Sequence, residues 1–236
     1  MSRPCGNEIE ATLASKQARV KRGVWFLSRR IRLASDQGSG WLAGMRISGG
    51  EARGIPLLVP KGDAVRPATD GMRQSVFSSL GQVVVGARFL DLFAGSGAYG
   101  LDALSRGARG GRFVEKHGRT ASLLKQNITA VCRSLGRTSD GVVVSTADAT
   151  QVSLAVGEAV PDLVFVDPPY SIIQAVAPKV FTKLTELLAP NPDALVLFEL
   201  PGGEDVSAEG WECVRRIGKG ARQPTVAIFR HEREPR

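Results

Sequence analysis

The run Asp91-Leu92-Phe93-Ala94-Gly95-Ser96-Gly97-Ala98-Tyr99-Gly100 decides the fold, because it joins an apolar strand, Arg88–Phe93, to a helix through closely spaced glycines. Glycine at such a junction lets the backbone turn sharply and approach a ligand at a helix N-terminus. Gly95, Gly97 and Gly100 spell GxGxxG, and Glu115 follows Gly95 by 20 positions, which is the dinucleotide-binding fingerprint. Asp91 argues against a dinucleotide, since a carboxylate at the end of this strand repels a pyrophosphate. It attracts instead the ammonium group of S-adenosyl-L-methionine, a cofactor that also carries a cationic sulfonium. Glu115, at the end of the second strand, is expected to accept hydrogen bonds from ribose hydroxyls with either cofactor.

Outward from this turn, apolar strands and amphipathic helices alternate. Strands are expected at Arg88–Phe93, Arg112–Glu115, Val142–Ser145, Leu163–Asp167, Ala194–Leu200, Glu212–Ile217 and Thr225–Arg230. Ala121, Leu124, Ile128, Val131 and Leu135 recur at helical spacing, and Gly136 suits the end of that helix. A second helix is expected over Ile172–Leu188, beginning after Pro178 or kinked by it. The alternation predicts an α/β fold: a seven-stranded, mostly parallel sheet covered on both faces. Its last two strands follow each other without a helix, as a C-terminal antiparallel hairpin. Upstream, Met45-Arg46-Ile47-Ser48, Gly49-Gly50 and Gly54–Pro60 predict a small N-terminal β-hairpin. After Arg66-Pro67-Ala68, Thr69 or Asp70 can cap a helix carrying Val76, Phe77 and Leu80 on one face.

A further motif follows the apolar strand Leu163-Val164-Phe165-Val166: the tetrapeptide Asp167-Pro168-Pro169-Tyr170. Two prolines stop the strand and fix the backbone, so the Pro168 carbonyl and the Asp167 side chain are expected to face the cleft at the strands' carboxyl ends. Tyr170 offers a flat face for a base. An exocyclic amine held by two acceptors and stacked on an aromatic ring aims its lone pair at a methyl carbon, and an in-line displacement of this kind rests on positioning rather than on a strong base. Asp148, just past the third strand, either accepts from an adenine amino group or caps the next helix.

Composition bounds the alternatives. Hydrophobic residues make up 43% and charged residues 23% of 236, ordinary globular usage. Cys5, Cys132 and Cys213 form no CxxC pair, and with only His117 and His231 the sequence suggests neither a zinc site nor a disulfide framework nor a serine-type triad. No apolar run reaches the roughly 18 to 20 residues of a membrane helix. A soluble protein of a reducing compartment is expected. The net charge is +8, but residues 1–44 carry eight bases against Glu8, Glu10 and Asp36, so most of the excess lies there. That basic extension reads as a disordered arm for RNA, as a targeting peptide, or as upstream sequence with Met45 as the working start. Residues 45–80 then form the hairpin and helix, and residues 81–236 the catalytic domain.

The motifs together resemble the bacterial 16S rRNA (guanine-N2)-methyltransferase family RsmD. The resemblance is carried by Met45-Arg46-Ile47 with Gly49-Gly50, by Arg66-Pro67 with Thr69-Asp70, by Asp91–Gly97, by Ala103-Leu104-Ser105-Arg106-Gly107-Ala108 and by Asp167–Tyr170. It implies a class I, Rossmann-like methyltransferase that uses S-adenosyl-L-methionine to methylate the N2 amine of a guanine in 16S rRNA, within an assembling small ribosomal subunit. It also implies a cytoplasmic monomer. Asp91, Phe93, Ala94, Gly95, Gly97, Glu115 and Asp148 would hold the cofactor, and Asp167, Pro168 and Tyr170 the flipped guanine. Arg46, Arg53, Lys61, Arg66 and Arg73 would meet RNA phosphates, Arg66 and Arg73 foremost. Asp102 stands where the family usually has Glu. The alternatives are the same chemistry on adenine N6 or a glutamine side chain, and an RNA-binding assembly factor without catalysis.

Overall fold

A computed structural model describes residues 41–60, 69–218 and 223–232 of the chain. Strand β1 (Trp41–Arg46) pairs antiparallel with β2 (Pro56–Pro60), giving the expected hairpin, with β1 beginning four residues before Met45. Helix α1 (Asp70–Leu80) is capped by Thr69, whose Oγ1 accepts from the Met72 N–H at 3.2 Å. Then follow β3 (Arg88–Leu92), α2 (Ala98–Ser105), β4 (Gly110–Val114), α3 (Gly118–Ser134) and β5 (Val142–Ser145). The chain continues through β6 (Leu163–Val166), α4 (Ile173–Leu188), β7 (Leu195–Leu200), β8 (Trp211–Ile217) and β9 (Thr225–His231).

The seven strands lie in the order β5-β4-β3-β6-β7-β9-β8, with β9 inserted antiparallel between β7 and β8. The first five are mutually parallel. Pro178 sits inside α4, which runs through it. A single 3-10 turn, Ala149–Gln151, stands between β5 and β6 where a helix was expected, and β7, β8 and β9 follow one another with no helix among the described residues between them. Among the described residues no helix is long and apolar enough to cross a membrane.

Alternation along the strands divides the core in two. Phe89, Phe113, Phe165 and Leu197 face the hairpin and α1–α3. Leu90, Leu92, Val114, Val164, Val166, Val196 and Phe198 face α4. The hairpin shares the first of these cores through Met45, Ile47, Leu57 and Val59, so it is packed into the sheet domain rather than appended to it. Asn127 of α3 fixes its position: the side chain accepts from the Leu58 N–H and donates to the Leu58 carbonyl, both at 2.9 Å, and also donates to Ser96 O.

Candidate active site

Parallel register sets the site. Val114, Leu92, Val166 and Phe198 lie level across four neighbouring strands, so the next residue of each chain segment forms one row at the sheet's carboxyl end: Glu115, Phe93, Asp167 and Glu199. Asp91 lies two residues before Phe93 on β3. A glycine-rich turn and two acidic strand ends thus converge where open α/β sheets bind ligands.

Phe93 ends β3 at a positive φ of 58°, a conformation disfavoured for a side-chain-bearing residue and one that turns the chain into the loop. Ala94 N–H donates to Val114 O, tying that loop to β4. Gly97 also requires the left-handed region (φ 83°), and a Cβ there would lie 2.3 Å from Leu124 Cδ1. At Gly95 a Cβ would meet nothing closer than Phe93 O at 3.9 Å, so bare backbone faces the cleft. Glu115 braces the turn: one carboxylate oxygen accepts from Gly95 N–H at 3.0 Å, the other from His117 N–H at 2.7 Å.

Asp91 is buried, and its Oδ2 accepts from the Gly100 N–H in the first turn of α2 at 2.9 Å. Burial pushes its carboxyl up to about 8, the Gly100 bond opposing and the Glu115 charge adding to the shift. A buried acid this reluctant to ionise is what a bound cation would stabilise in its charged form. Asp148 is half exposed and caps the 3-10 turn through Thr150, with Lys116 Nζ at 3.0 Å from its other oxygen. The Thr150 and Lys116 bonds hold its carboxyl down to about 2. The capping alternative is therefore realised, and the second oxygen lies on the side of Lys116.

Asp167 is half-buried, and among the described residues no hydrogen bond reaches its carboxylate. Burial raises its proton affinity well above the usual range, the Glu199 and Asp91 charges add to this, and the Arg73 guanidinium opposes it. Pro168 is buried and Tyr170 half-buried. Glu199 was not singled out from sequence. It is 2% exposed and accepts from the Tyr99 hydroxyl at 2.6 Å. Burial raises its carboxyl too, against the pull of the Tyr99 hydrogen bond, of the Arg73 charge and of the Tyr170 hydroxyl.

The expected phosphate contacts divide. Arg53 is exposed on the hairpin turn, and among the described residues it has no ion pair. Arg46 is exposed but paired with Asp70 at 2.8 Å. Lys61 and Arg66 lie outside the described residues. Arg73 requires a correction: it is fully buried, with Nε 2.7 Å from Asp102 and a second nitrogen 2.9 Å from Asp70 and 2.6 Å from the Arg46 carbonyl. It serves as a buried countercharge, not as a surface contact to phosphate. Asp102, read from sequence only as a departure, is its main partner. It also accepts from Ser48 N–H, Ser48 Oγ, Gly49 N–H and Arg106.

Residues 45–228 match the family described as Conserved hypothetical protein 95. Ribosomal RNA small subunit methyltransferase D of Escherichia coli K12 is 40% identical over 141 residues; the aligned stretch spans 59% of this chain and 66% of that protein, just under two thirds of its length. The Haemophilus influenzae protein of the same name is 29% identical over 178 residues, 75% of this chain and 89% of its own. Among solved structures, the Escherichia coli protein yhhF, provisionally described as a methyltransferase, superposes with a TM-score of 0.64 at 29% identity, covering 80% of this chain and 98% of that one.

Proposed function

Because the chain belongs to the Conserved hypothetical protein 95 family, that of RsmD, we propose that it uses S-adenosyl-L-methionine to methylate the exocyclic N2 amine of a guanine in small-subunit rRNA. The observation that carries this reading is the acid row at the sheet's carboxyl end, where Asp91 and Glu115 flank a glycine turn and Asp167 stands with no hydrogen-bond donor among the described residues.

The residues fit the cofactor. Asp91 supplies a buried negative charge for its ammonium group, Glu115 two oxygens for its ribose, and Gly95 bare backbone with room beside it. Phe93, Ala94 and Gly97 would line that seat, and Asp148 would accept from the adenine amino group. When bound, the cofactor supplies an electrophilic methyl on a sulfonium. Asp167 and the Pro168 carbonyl accept the two hydrogens of the target amine, which aims its lone pair, while Tyr170 stacks the base. Guanine is favoured over adenine because its Watson–Crick edge carries an N1–H donor beside the amine, and a carboxylate can accept from both. Attack then depends on alignment. Deprotonated Asp167 is positioned to hold the proton that the amine releases. Arg53 and Arg46 on the hairpin would contact phosphate from outside the cleft.

The test is tritiated methyl transfer from S-adenosyl-L-methionine to small ribosomal subunits from cells lacking this protein, followed by nucleoside analysis. N2-methylguanosine at one position is the expected product. N6-methyladenosine, or transfer to protein, would move the same chemistry to another amine. Cofactor binding without transfer to the subunit would remove the rRNA substrate, and no cofactor binding would leave only an RNA-binding role.

A further inference from the structure

Helix α3 and the chain on either side of it concentrate positive charge. Between Glu115 and Asp140 the sequence carries five bases, Lys116, Arg119, Lys125, Arg133 and Arg137, and no acid. Residues 45–236 as a whole hold 23 bases and 20 acids; outside this stretch the balance is 18 against 20, so the entire excess falls within it. Lys116 is paired with Asp148, and Arg137 donates to the carbonyls of Ala108 and Arg109. Arg119, Lys125 and Arg133 remain. All three are exposed, and among the described residues none has an ion pair.

Ala121, Leu124, Ile128 and Val131 turn one side of α3 to the core, which leaves the three bases together on the solvent side. An ordinary solvated helix face mixes signs, because acids three or four residues from bases stabilise it. Helix α4, on the other face of the sheet, does so: Lys183 pairs with Glu186 at 2.8 Å. Helix α3 forgoes such pairs. It also places Arg119 in its first turn, where the helix dipole disfavours a cation, with no acid there to offset it. The three charges thus bring the helix no local gain, and the partner they complement is a polyanion.

We propose that the exposed face of α3 is a phosphate-contacting track that carries the rRNA backbone away from the cleft. The inference rests on the reading of the substrate as small-subunit rRNA. Glu115 follows β4 at the cleft and α3 begins three residues later. Arg119 therefore stands at the rim, and Arg133 lies ~21 Å farther along the helix axis. Asn127 ties the middle of the helix to β2 through both backbone groups of Leu58, so the track adjoins the hairpin that carries Arg46 and Arg53. Phosphate contacts fix register and orientation without reading sequence, which leaves the choice of base to the cleft.

The test is equilibrium binding of the full-length protein to small ribosomal subunits from cells lacking it, and to the protein-free rRNA of those subunits, over a series of salt concentrations. The triple variant Arg119→Ala/Lys125→Ala/Arg133→Ala should lose about 2.1 to 2.7 from the slope of log affinity against log salt on both targets. Affinity at about 0.15 M salt should fall about 10- to 100-fold. The urea midpoint should be no lower than that of wild type, because no partner within the fold is lost. Lys179→Ala/Lys183→Ala on α4 removes two bases from the other side of the sheet and should leave the slope within about 0.5 of wild type. An α3 variant with the wild-type slope, or a loss per removed base equal to that of the α4 variant, overturns the proposal. So does a loss on intact subunits that is absent with the free rRNA, which would set the face against a ribosomal protein. Binding and chemistry are read apart. A wild-type protein that transfers no methyl, with the slope still lost in the α3 variant, removes the proposed reaction and keeps the track. Methyl transfer by wild type, with an unchanged slope in the α3 variant, keeps the reaction and removes the track.

Discussion

Two groups of buried acids, one on each side of α2, have opposite surroundings. Asp102, facing the hairpin, is fully buried and accepts from Ser48 N–H, Ser48 Oγ, Gly49 N–H, Arg73 and Arg106 at 2.6 to 3.3 Å. Asp167, facing the cleft, accepts no hydrogen bond from the described residues, and the charges of Glu199 and Asp91 raise its proton affinity against the Arg73 guanidinium. The same residue type thus serves two purposes. Where donors surround the carboxylate it joins elements; where they are missing, the proposed substrate would bring its own. The hairpin is held by the first arrangement and the proposed chemistry by the second.

The largest expected effect breaks the satisfied side. Asp102→Asn keeps the shape but leaves Arg73 buried without its main countercharge, with Arg106 also deprived of its partner. Removing one partner from a buried pair costs about 3–5 kcal/mol, and urea unfolding should register a loss of that size. An Asp102→Asn protein of unchanged stability that nevertheless failed to transfer methyl would move Asp102 from the scaffold to the site. The complementary change, Asp167→Ala, should slow methyl transfer about 10²- to 10³-fold, or roughly 3–4 kcal/mol at the transition state. Cofactor affinity by calorimetry should stay within about threefold. Transfer at a comparable rate in this variant would end the assignment of Asp167.

A smaller effect concerns pH. Asp91 has its proton affinity raised from an ordinary 3.8 to about 8 by burial, so the folded cofactor-free protein keeps a proton that the unfolded chain releases. Stability from this group is fully present below about pH 4 and is lost as pH rises toward 8, with a slope of at most about 1.4 kcal/mol per pH unit. Asp167 and Glu199 are shifted in the same direction, so Asp91→Asn should flatten the decline without abolishing it. Chemical unfolding of the cofactor-free protein at a series of pH values measures this slope. A profile unchanged by Asp91→Asn would mean that Asp91 is already ionised in the folded protein without a ligand.

The same contrast explains which parts of the molecule were legible in the sequence. Short apolar runs between helical stretches placed all seven strands of the main sheet to within about two residues, and the glycine turn and the Asp167–Tyr170 motif are local signals that needed no tertiary information. Glu199 and Asp102 were not found because their partners lie far along the chain, 100 residues for Tyr99 to Glu199 and 54 for Ser48 to Asp102. A signal was nevertheless present: each is the lone acid of an otherwise largely apolar element, Leu195–Leu200 and Ala98–Ser105. Arg73 was assigned to the surface for its place beside the loop, although Arg73, Val76, Phe77 and Leu80 follow helical spacing and share the buried face of α1. The irregular link between β5 and β6 left no periodic signature at all.

The smallest expected effects separate the remaining basic residues by how far their charge is already satisfied. Arg73 is spent on Asp102 and Asp70, Arg46 is half spent on Asp70 at the surface, and Arg53 has no ion pair among the described residues. A phosphate contact by Arg53 would release about one counterion. Arg53→Ala should therefore reduce the slope of log affinity against log salt for small-subunit RNA by about 0.7 to 0.9, with little change in stability. Arg46→Ala should change it less, because an exposed guanidinium already facing Asp70 offers a phosphate only part of its charge. Equal slopes for the two variants would show that the Asp70 pair opens on binding. The hairpin would then present both cations to RNA, and the division between satisfied and available charge would hold only for the free protein.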